Sequence, residues 1–373
     1  MAGIYIHIPF CRQACHYCDF HFSTSLKSKP ALLKAMGKEI ILRQPYLKGQ
    51  EIETIYFGGG TPSLLEVSEL QLLLDSLRKS YKINKDAEVT LEANPDDITP
   101  EKARSWNSAG INRLSIGIQS FSDEDLQYMN RCHTSAEGLE SIRICREAGF
   151  DNLTIDLIYG TPTMSDKQWR QNLECAIETG VTHISSYCLT VEKGTALYNK
   201  VRSGNTKAPE EEQGIKQFLV LRDMLGQAGF QQYEVSNFCK PGKHSRHNSN
   251  YWKARSYLGL GPSAHSFDGS SRQWNVSNNY SYISSLEKDI LPFEREQLSL
   301  DQQYNEYVLT RLRTIWGCEL PKLLSEYGLK HYSHFMTQLK KLDSRYYLLK
   351  DEVLTLTGEG LLMADSISSD LMI

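Results

Sequence analysis

Between Ile4 and Cys188 the chain repeats one pattern: a short apolar run, then a polar or amphipathic helical stretch. The runs are Ile4–Ile8, Thr54–Phe57, Glu88–Ala93, Arg113–Ile118, Leu153–Ile158 and His183–Cys188. Ala31–Arg43 and Glu66–Lys79 carry apolar residues at helical spacing. Thr99-Pro100-Glu101 reads as an N-cap followed by proline at the first helical position. Ser135–Ala148 and Asp166–Thr179 each end at a glycine, Gly149 and Gly180. Repeated strand–helix units predict a parallel sheet with right-handed crossovers. Six units are too few to close an eight-fold barrel, so the pattern predicts an α/β fold built as an open, partial (β/α)6 barrel.

The remainder reads differently. A loop over Val201–Gln213 leads to a helix near Glu212–Ala228, a strand at Gln231–Val235 and a polar loop at Cys239–Asn250. From about Leu298 the pattern is helical over Asn305–Ile315, Leu320–Tyr327 and Tyr332–Leu342. Tyr346–Leu356 then alternates like a hairpin, and Gly358–Leu371 is helical again. This order predicts a small winged-helix-like α+β domain. The expected division is a core over 1–235, a connecting region over 236–297 and a C-terminal domain over 298–373.

The first strand runs into Ile4–Phe22, IYIHIPFCRQACHYCDFHF. Pro9 ends the strand because it lacks the donor a sheet interior needs. Cys11, Cys15 and Cys18 follow as C-x3-C-x2-C, close enough for one loop to present three thiolates to one inorganic centre. A closed structural site takes four protein ligands. Three leave either an iron–sulfur centre with one iron open, or a zinc site completed by His16 or His21. The spacing alone leaves both open.

Composition narrows the partners. The 373 residues carry a net charge of −4 and a pI near 6.2, and residues 299–373 hold eight Lys/Arg against ten Asp/Glu. Neither balance offers a basic face for nucleic acid, the winged-helix pattern notwithstanding. No apolar run approaches the ~20 residues of a membrane span, and no basic, apolar and cleavage-site succession marks a secretory signal. The other six of the nine cysteines are scattered, which is reduced, intracellular usage and predicts a cytoplasmic protein. Peripheral contact with a membrane surface is compatible with this composition.

In parallel α/β folds, ligands bind beyond the carboxyl ends of the strands. The second strand ends in Gly58-Gly59-Gly60-Thr61-Pro62, where backbone can approach a ligand closely or simply turn tightly. The third ends at Glu92-Ala93-Asn94-Pro95, the fourth at Gln119, with Arg131-Cys132-His133 soon after. Glu92 could accept from a ribose hydroxyl or an ammonium, and Arg131 could clasp a carboxylate. Asp156 lies within the apolar fifth strand, where a carboxylate needs a partner.

YIHIPFCRQACHYC resembles the cluster motif of radical S-adenosylmethionine (SAM) enzymes, in the HIPFC form of the coproporphyrinogen dehydrogenase and HemW branch. GGGTP, EANP, GIQSF, RCH and IDLIYGTP match that branch in order, and the resemblance covers the first ~190 residues before continuing more loosely. It implies a [4Fe–4S] cluster on Cys11, Cys15 and Cys18, whose open iron takes the amino and carboxylate groups of SAM. Gly59, Gly60, Thr61 and Glu92 would hold the methionyl moiety or ribose. Tyr5 would lie beside the cluster and Tyr17 near the adenine or a second SAM. Gln119, Arg131 and Asp156 would line the site of a second SAM or the substrate. The implied chemistry is reductive cleavage of SAM to a 5′-deoxyadenosyl radical.

The branch divides at two features. The dehydrogenases resembled have a fourth cysteine two positions after the third, where this chain has Phe20, and a long segment before the motif. Both departures favour the HemW side, for which heme carriage and not porphyrinogen decarboxylation is expected. His247-Asn248-Ser249-Asn250-Tyr251-Trp252 resembles the HNxxYW motif of that side. On that resemblance His247, with His244 as a rival, would offer an imidazole to heme iron, and Tyr251 and Trp252 flat apolar faces. Lys240, Lys243 and Arg246 could meet propionates. Read without the resemblance, the segment is a polar surface loop with a structural aromatic pair. The expected partners are heme, heme-acceptor proteins including respiratory-chain proteins at a membrane face, and a second copy of the chain.

Overall fold

The computed structural model describes residues Met1–Ile373. Its main sheet opens with β1 (Ala2–Ile8), β2 (Ile52–Gly59), β3 (Ile83–Ala93), β4 (Arg113–Gln119), β5 (Leu153–Tyr159) and β6 (His183–Cys188). These six are parallel neighbours in chain order, as the alternating pattern predicts. Helices cover their outer side: Lys29–Leu42, Val67–Ser80, Pro100–Ala109, Ser135–Glu147 and Asp166–Glu178. The cap signals operate as read. Thr99 Oγ1 accepts from the Lys102 amide at 3.2 Å, and Gly149 and Gly180 adopt positive φ at their helix ends.

The sheet does not stop at six strands. After the helix Glu211–Gln227 come β7 (Gln231–Glu234), β8 (Asn237–Cys239), β9 (Tyr257–Leu260), β10 (His265–Phe267), β11 (Ser271–Asn275) and β12 (Phe293–Gln297). The order is β12-β11-β10-β9-β1-β2-β3-β4-β5-β6-β8-β7. The stretch expected to connect two domains therefore extends the same sheet from both edges, with β9 parallel to β1 and β8 antiparallel to β6. The polar loop expected over Cys239–Asn250 is in part a helix, Arg246–Trp252. Ser245 Oγ caps it, and the Glu88 carboxylate accepts from the Arg246 and His247 amides at 2.9 Å each.

Strand alternation separates two interiors. Ile4, Ile6, Ile55, Phe57, Val89, Leu91, Leu114, Ile116, Ile155 and Leu157 point outward into the apolar core beneath the helices. Their neighbours Tyr5, Tyr56, Glu92, Arg113, Ser115, Asp156, His183 and Ser185 point inward and line a polar cavity of about 220 Å³. The curve of the sheet thus encloses hydrogen-bonding groups, not a second apolar core.

The C-terminal domain has its own core of Tyr304, Val308, Leu323, Phe335, Leu354 and Ile367. It contains the helix Leu300–Leu312, β13 (Cys318–Glu319), a helix Leu320–Leu339 kinked at Gly328, and the hairpin of β14 (Tyr347–Lys350) and β15 (Val353–Leu356). That helix–strand–helix–helix–hairpin order is winged-helix-like. The closing segment is two helices, Gly358–Leu362 and Ala364–Leu371, where one was expected. Backbone hydrogen bonds from Val235 N to Arg313 O (3.0 Å) and Ile315 N to Tyr233 O (3.1 Å) tie the domain to the sheet.

Candidate active site at the cysteine loop

The loop after β1 is held from several sides. Its base is closed by Ser23 N to Pro9 O (2.9 Å) and Cys11 N to Ser23 O (3.1 Å). Its middle is fastened to the segment after β4: Gln13 Nε2 donates to Asn130 O (2.9 Å) and Asn130 Nδ2 to Ala14 O (2.7 Å). His16 binds the Tyr128 carbonyl through Nδ1 (2.9 Å), and Lys200 Nζ lies 2.9 Å from its Nε2. His21 Nε2 pairs with Asn279 Oδ1 at 2.8 Å. Both histidines that could have completed a zinc site are thus committed elsewhere.

Cys11, Cys15 and Cys18 are free, half-buried and face one cavity of about 490 Å³. No three Cys, His, Asp or Glu side chains are close enough to hold a single ion. Four ligands around one zinc, at Zn–S near about 2.3 Å, would lie within about 4 Å of one another. Thiols ringing a cavity suit a larger, polynuclear centre. Arg131 Nη1 donates to Cys15 Sγ at 3.3 Å. Burial pushes the Cys18 thiol up to about 11 and raises Cys11, the latter opposed by a hydrogen bond from Thr61.

The glycine turn forms the adjoining wall. Gly60 N donates to Ile8 O (2.9 Å) and Thr61 N to Phe10 O (2.7 Å). A Cβ on Gly60 would lie 2.6 Å from Phe10 O, and one on Gly59, at φ +105°, 2.5 Å from His7 Nδ1. These glycines therefore let the turn press against β1 and the cysteine loop, beside whatever the cavity holds.

Glu92 is not a solvated rim acid. Its Oε1 accepts from Tyr56 O–H at 2.8 Å, and burial pushes its carboxyl up to about 7. Asp156, beside Ser115 (3.4 Å), is pushed up to about 6 by burial. Arg131 also donates to Asn94 Oδ1 (2.7 Å) and Gly117 O (2.9 Å). Gln119 faces the cavity at φ +66°. Tyr17 faces it too, backed by Leu126, Met129 and Leu189. Asn94 joins Arg131 to Thr61, and Ser115 holds Asp156. Asn94 and Ser115 carry no motif signal of their own in the sequence; alternation along the strands is what turns each of them inward. Phe20, 67% exposed, forms part of the rim.

Two expected site residues line the polar cavity beneath, which shares Glu92, Ser115 and Asp156 with the cavity at the cysteines. Tyr5 points into the polar cavity below, its hydroxyl 3.2 Å from His7 Nδ1. His247 is buried at the amino ends of the strands, on the helix Arg246–Trp252. Its Nδ1 lies 2.7 Å from Thr54 Oγ1 and its Nε2 2.8 Å from Tyr251 O–H. Burial lowers its pKa to about 3, so it is neutral. Its ring stacks on Tyr56 and Tyr5, with centroids 5.0 and 6.4 Å away. Both ring nitrogens are occupied within the protein.

Residues 5–176 match the model of the radical SAM superfamily. The heme chaperone HemW of Mycobacterium tuberculosis is 36% identical, covering 99% of this chain and 94% of its own. HemW of Bacillus subtilis is 33% identical and covers 98% of each. Among solved structures, coproporphyrinogen III oxidase (HemN) of Escherichia coli, a radical SAM enzyme, superposes with a TM-score of 0.87 at 23% identity. It covers 100% of this chain and 90% of that one, so the two share a fold. Near-full-length identity above thirty percent, over a barrel with three cysteines at its mouth, places this chain in the HemW family of the radical SAM superfamily.

Proposed function

We propose that this protein binds heme and delivers it to acceptor proteins, respiratory-chain proteins among them, from the cytoplasmic side of a membrane. In this reading Cys11, Cys15 and Cys18 hold a [4Fe–4S] cluster and SAM lies in the adjoining cavity. The observation that carries it is the pairing of HemW-named relatives over nearly the whole chain with three free thiols around one cavity. When bound, the cluster and SAM supply one-electron chemistry.

The chain's own residues bind and orient. Arg131 donates to Cys15 Sγ and, through Asn94, fixes Thr61 near Cys11. Glu92, raised to about 7 and so present in both forms near neutral pH, can accept from an ammonium and can donate to or accept from a ribose hydroxyl. The Gly59–Gly60 turn supports a methionyl group. Gln119 and Asp156 face the deeper part of the cavity. Dimerisation and contact with a membrane surface belong to the same proposal; no helix is long and apolar enough to cross a membrane.

Three measurements test this. Anaerobic reconstitution with iron and sulfide should give [4Fe–4S] spectra that change on adding SAM; a zinc-only protein would remove the cluster. Hemin should give a Soret shift, and the loaded protein should pass heme to an apo-cytochrome. Coproporphyrinogen III, SAM and a reductant should yield no protoporphyrinogen; its formation would replace carriage with catalysis.

A further inference from the structure

A wider cavity than that at the cysteines lies at the opposite end of the strands. It is a cleft of about 600 Å³ between the helix Arg246–Trp252 and the C-terminal domain. That is within the range of about 300–1,000 Å³ for small-molecule sites. One wall is Trp252, Tyr257 and Phe267 from the sheet side; the other is Tyr307 and Tyr327 from the C-terminal domain. Both walls therefore present aromatic faces.

The charges in the cleft do not balance. Four cations line it, Lys253, Arg272, Arg311 and Lys322, against two carboxylates, Glu306 and Glu326. Arg272 pairs with Glu306 at 2.9 Å, and Lys322 lies 3.8 Å from Glu326. Lys253 has no carboxylate partner; its Nζ sits 4.1 Å from the Trp316 ring centroid. Its pKa is lowered by burial and by Arg311 and Arg255, the mark of a cation among cations. Trp252 Nε1 and Arg272 Nε are buried donors with no acceptor. Arg311 pairs with Glu319 at 3.4 Å, so Lys253 is the one unpaired cation; with two unpartnered donors between aromatic walls, it suits a flat, apolar ligand that carries carboxylates.

We propose that this cleft is where the protein seats heme, as a dianionic tetrapyrrole. The inference rests on the heme-binding reading above and gives the C-terminal domain its role: it supplies one wall of the site. No histidine, cysteine or methionine lines the cleft, so the ring faces and the carboxylates carry recognition, and iron meets at most a phenol. His247 belongs to the layer beneath, behind Tyr251.

The test is a hemin titration of the cluster-loaded protein, read by Soret shift and tryptophan quenching, with circular dichroism as the control on folding. Lys253→Glu should weaken hemin by about tenfold or more, as loss of a charged hydrogen bond implies. Hemin dimethyl ester should bind wild type about as weakly, and Lys253→Glu should weaken it little further. Phe20→Ala, on the rim of the cysteine cavity, should leave hemin affinity unchanged. Equal affinity of hemin and its ester for both proteins would overturn the proposal, as would loss of binding in Phe20→Ala alone. No hemin binding by wild type would remove the carrier reading itself, and this site with it.

Discussion

Replacing His247 with asparagine separates a packing role from a ligand role. The imidazole is 2% exposed, bridges Thr54 and Tyr251 at 2.7 and 2.8 Å, and stacks on Tyr56. Losing two buried hydrogen bonds and part of a ring costs about 3 kcal/mol near pH 8. The cost depends on pH. The folded-state pKa is depressed to about 3, so on acidification the unfolded chain takes up the proton first, near its ordinary 6.5. The wild type therefore loses stability as pH falls below that value, by about 1.4 kcal/mol at about pH 5.5. Asparagine does not titrate, and the other ionisable groups are common to both proteins. The deficit of His247→Asn should thus shrink from about 3 to about 1.6 kcal/mol between about pH 8 and about pH 5.5. Urea unfolding followed by circular dichroism at the two pH values measures it. A deficit independent of pH would refute a buried neutral imidazole. A folded variant that has lost the hemin Soret shift would make His247 the iron ligand.

Three further outcomes are expected. Gly60→Ala puts a Cβ 2.6 Å from Phe10 O and 2.9 Å from Ile8 O, both backbone, so the cysteine loop must shift; bound iron per chain should fall severalfold, with the melting temperature lowered by only a few degrees. Glu92→Gln removes a carboxyl raised to about 7, whose contribution to stability is present below the ordinary 4.5 and lost as pH rises through the folded value. The variant should therefore gain on wild type between about pH 5 and about pH 8, by roughly 2 kcal/mol after allowing for partial exposure, in parallel urea titrations. Protoporphyrin IX, which lacks iron, should bind within about tenfold of hemin, because the cleft offers the metal little; a difference above about a hundredfold would point to an axial ligand.

The parallel half of the fold is legible because each strand carries its own boundary signal. Pro9 ends β1, the glycines end β2, and Thr99, Gly149 and Gly180 mark helix ends. The site groups at the strand ends are legible for the same reason: alternation and the parallel rule together fix which end faces a ligand. What stays hidden depends on long-range pairing. β9 to β12 are only three to five residues long, and their stability comes from adding to β1 and to each other. The helix Arg246–Trp252 is only seven residues long and holds because Ser245 caps it and the Glu88 carboxylate, distant in sequence, accepts from its first two amides. His247 therefore reads as a surface ligand and proves to be an interior bridge. The charge surplus of the cleft is likewise invisible, since Lys253 and Arg311 meet only when the C-terminal domain docks.

The position of β1 within the sheet governs the order of assembly. It precedes every other strand of the sheet along the chain, yet it is an inner strand, with β2 on one side and β9 on the other. Its Gly3–Ile6 segment completes pairing only with Tyr257–Leu260, and His21 waits for Asn279. Contacts of such sequence separation form late and slowly. The three thiols are therefore synthesised early but fixed in place only after three-quarters of the chain exists. Until then they sit on an unsecured loop, exposed to oxidation or stray metal, so cofactor loading belongs to the end of folding.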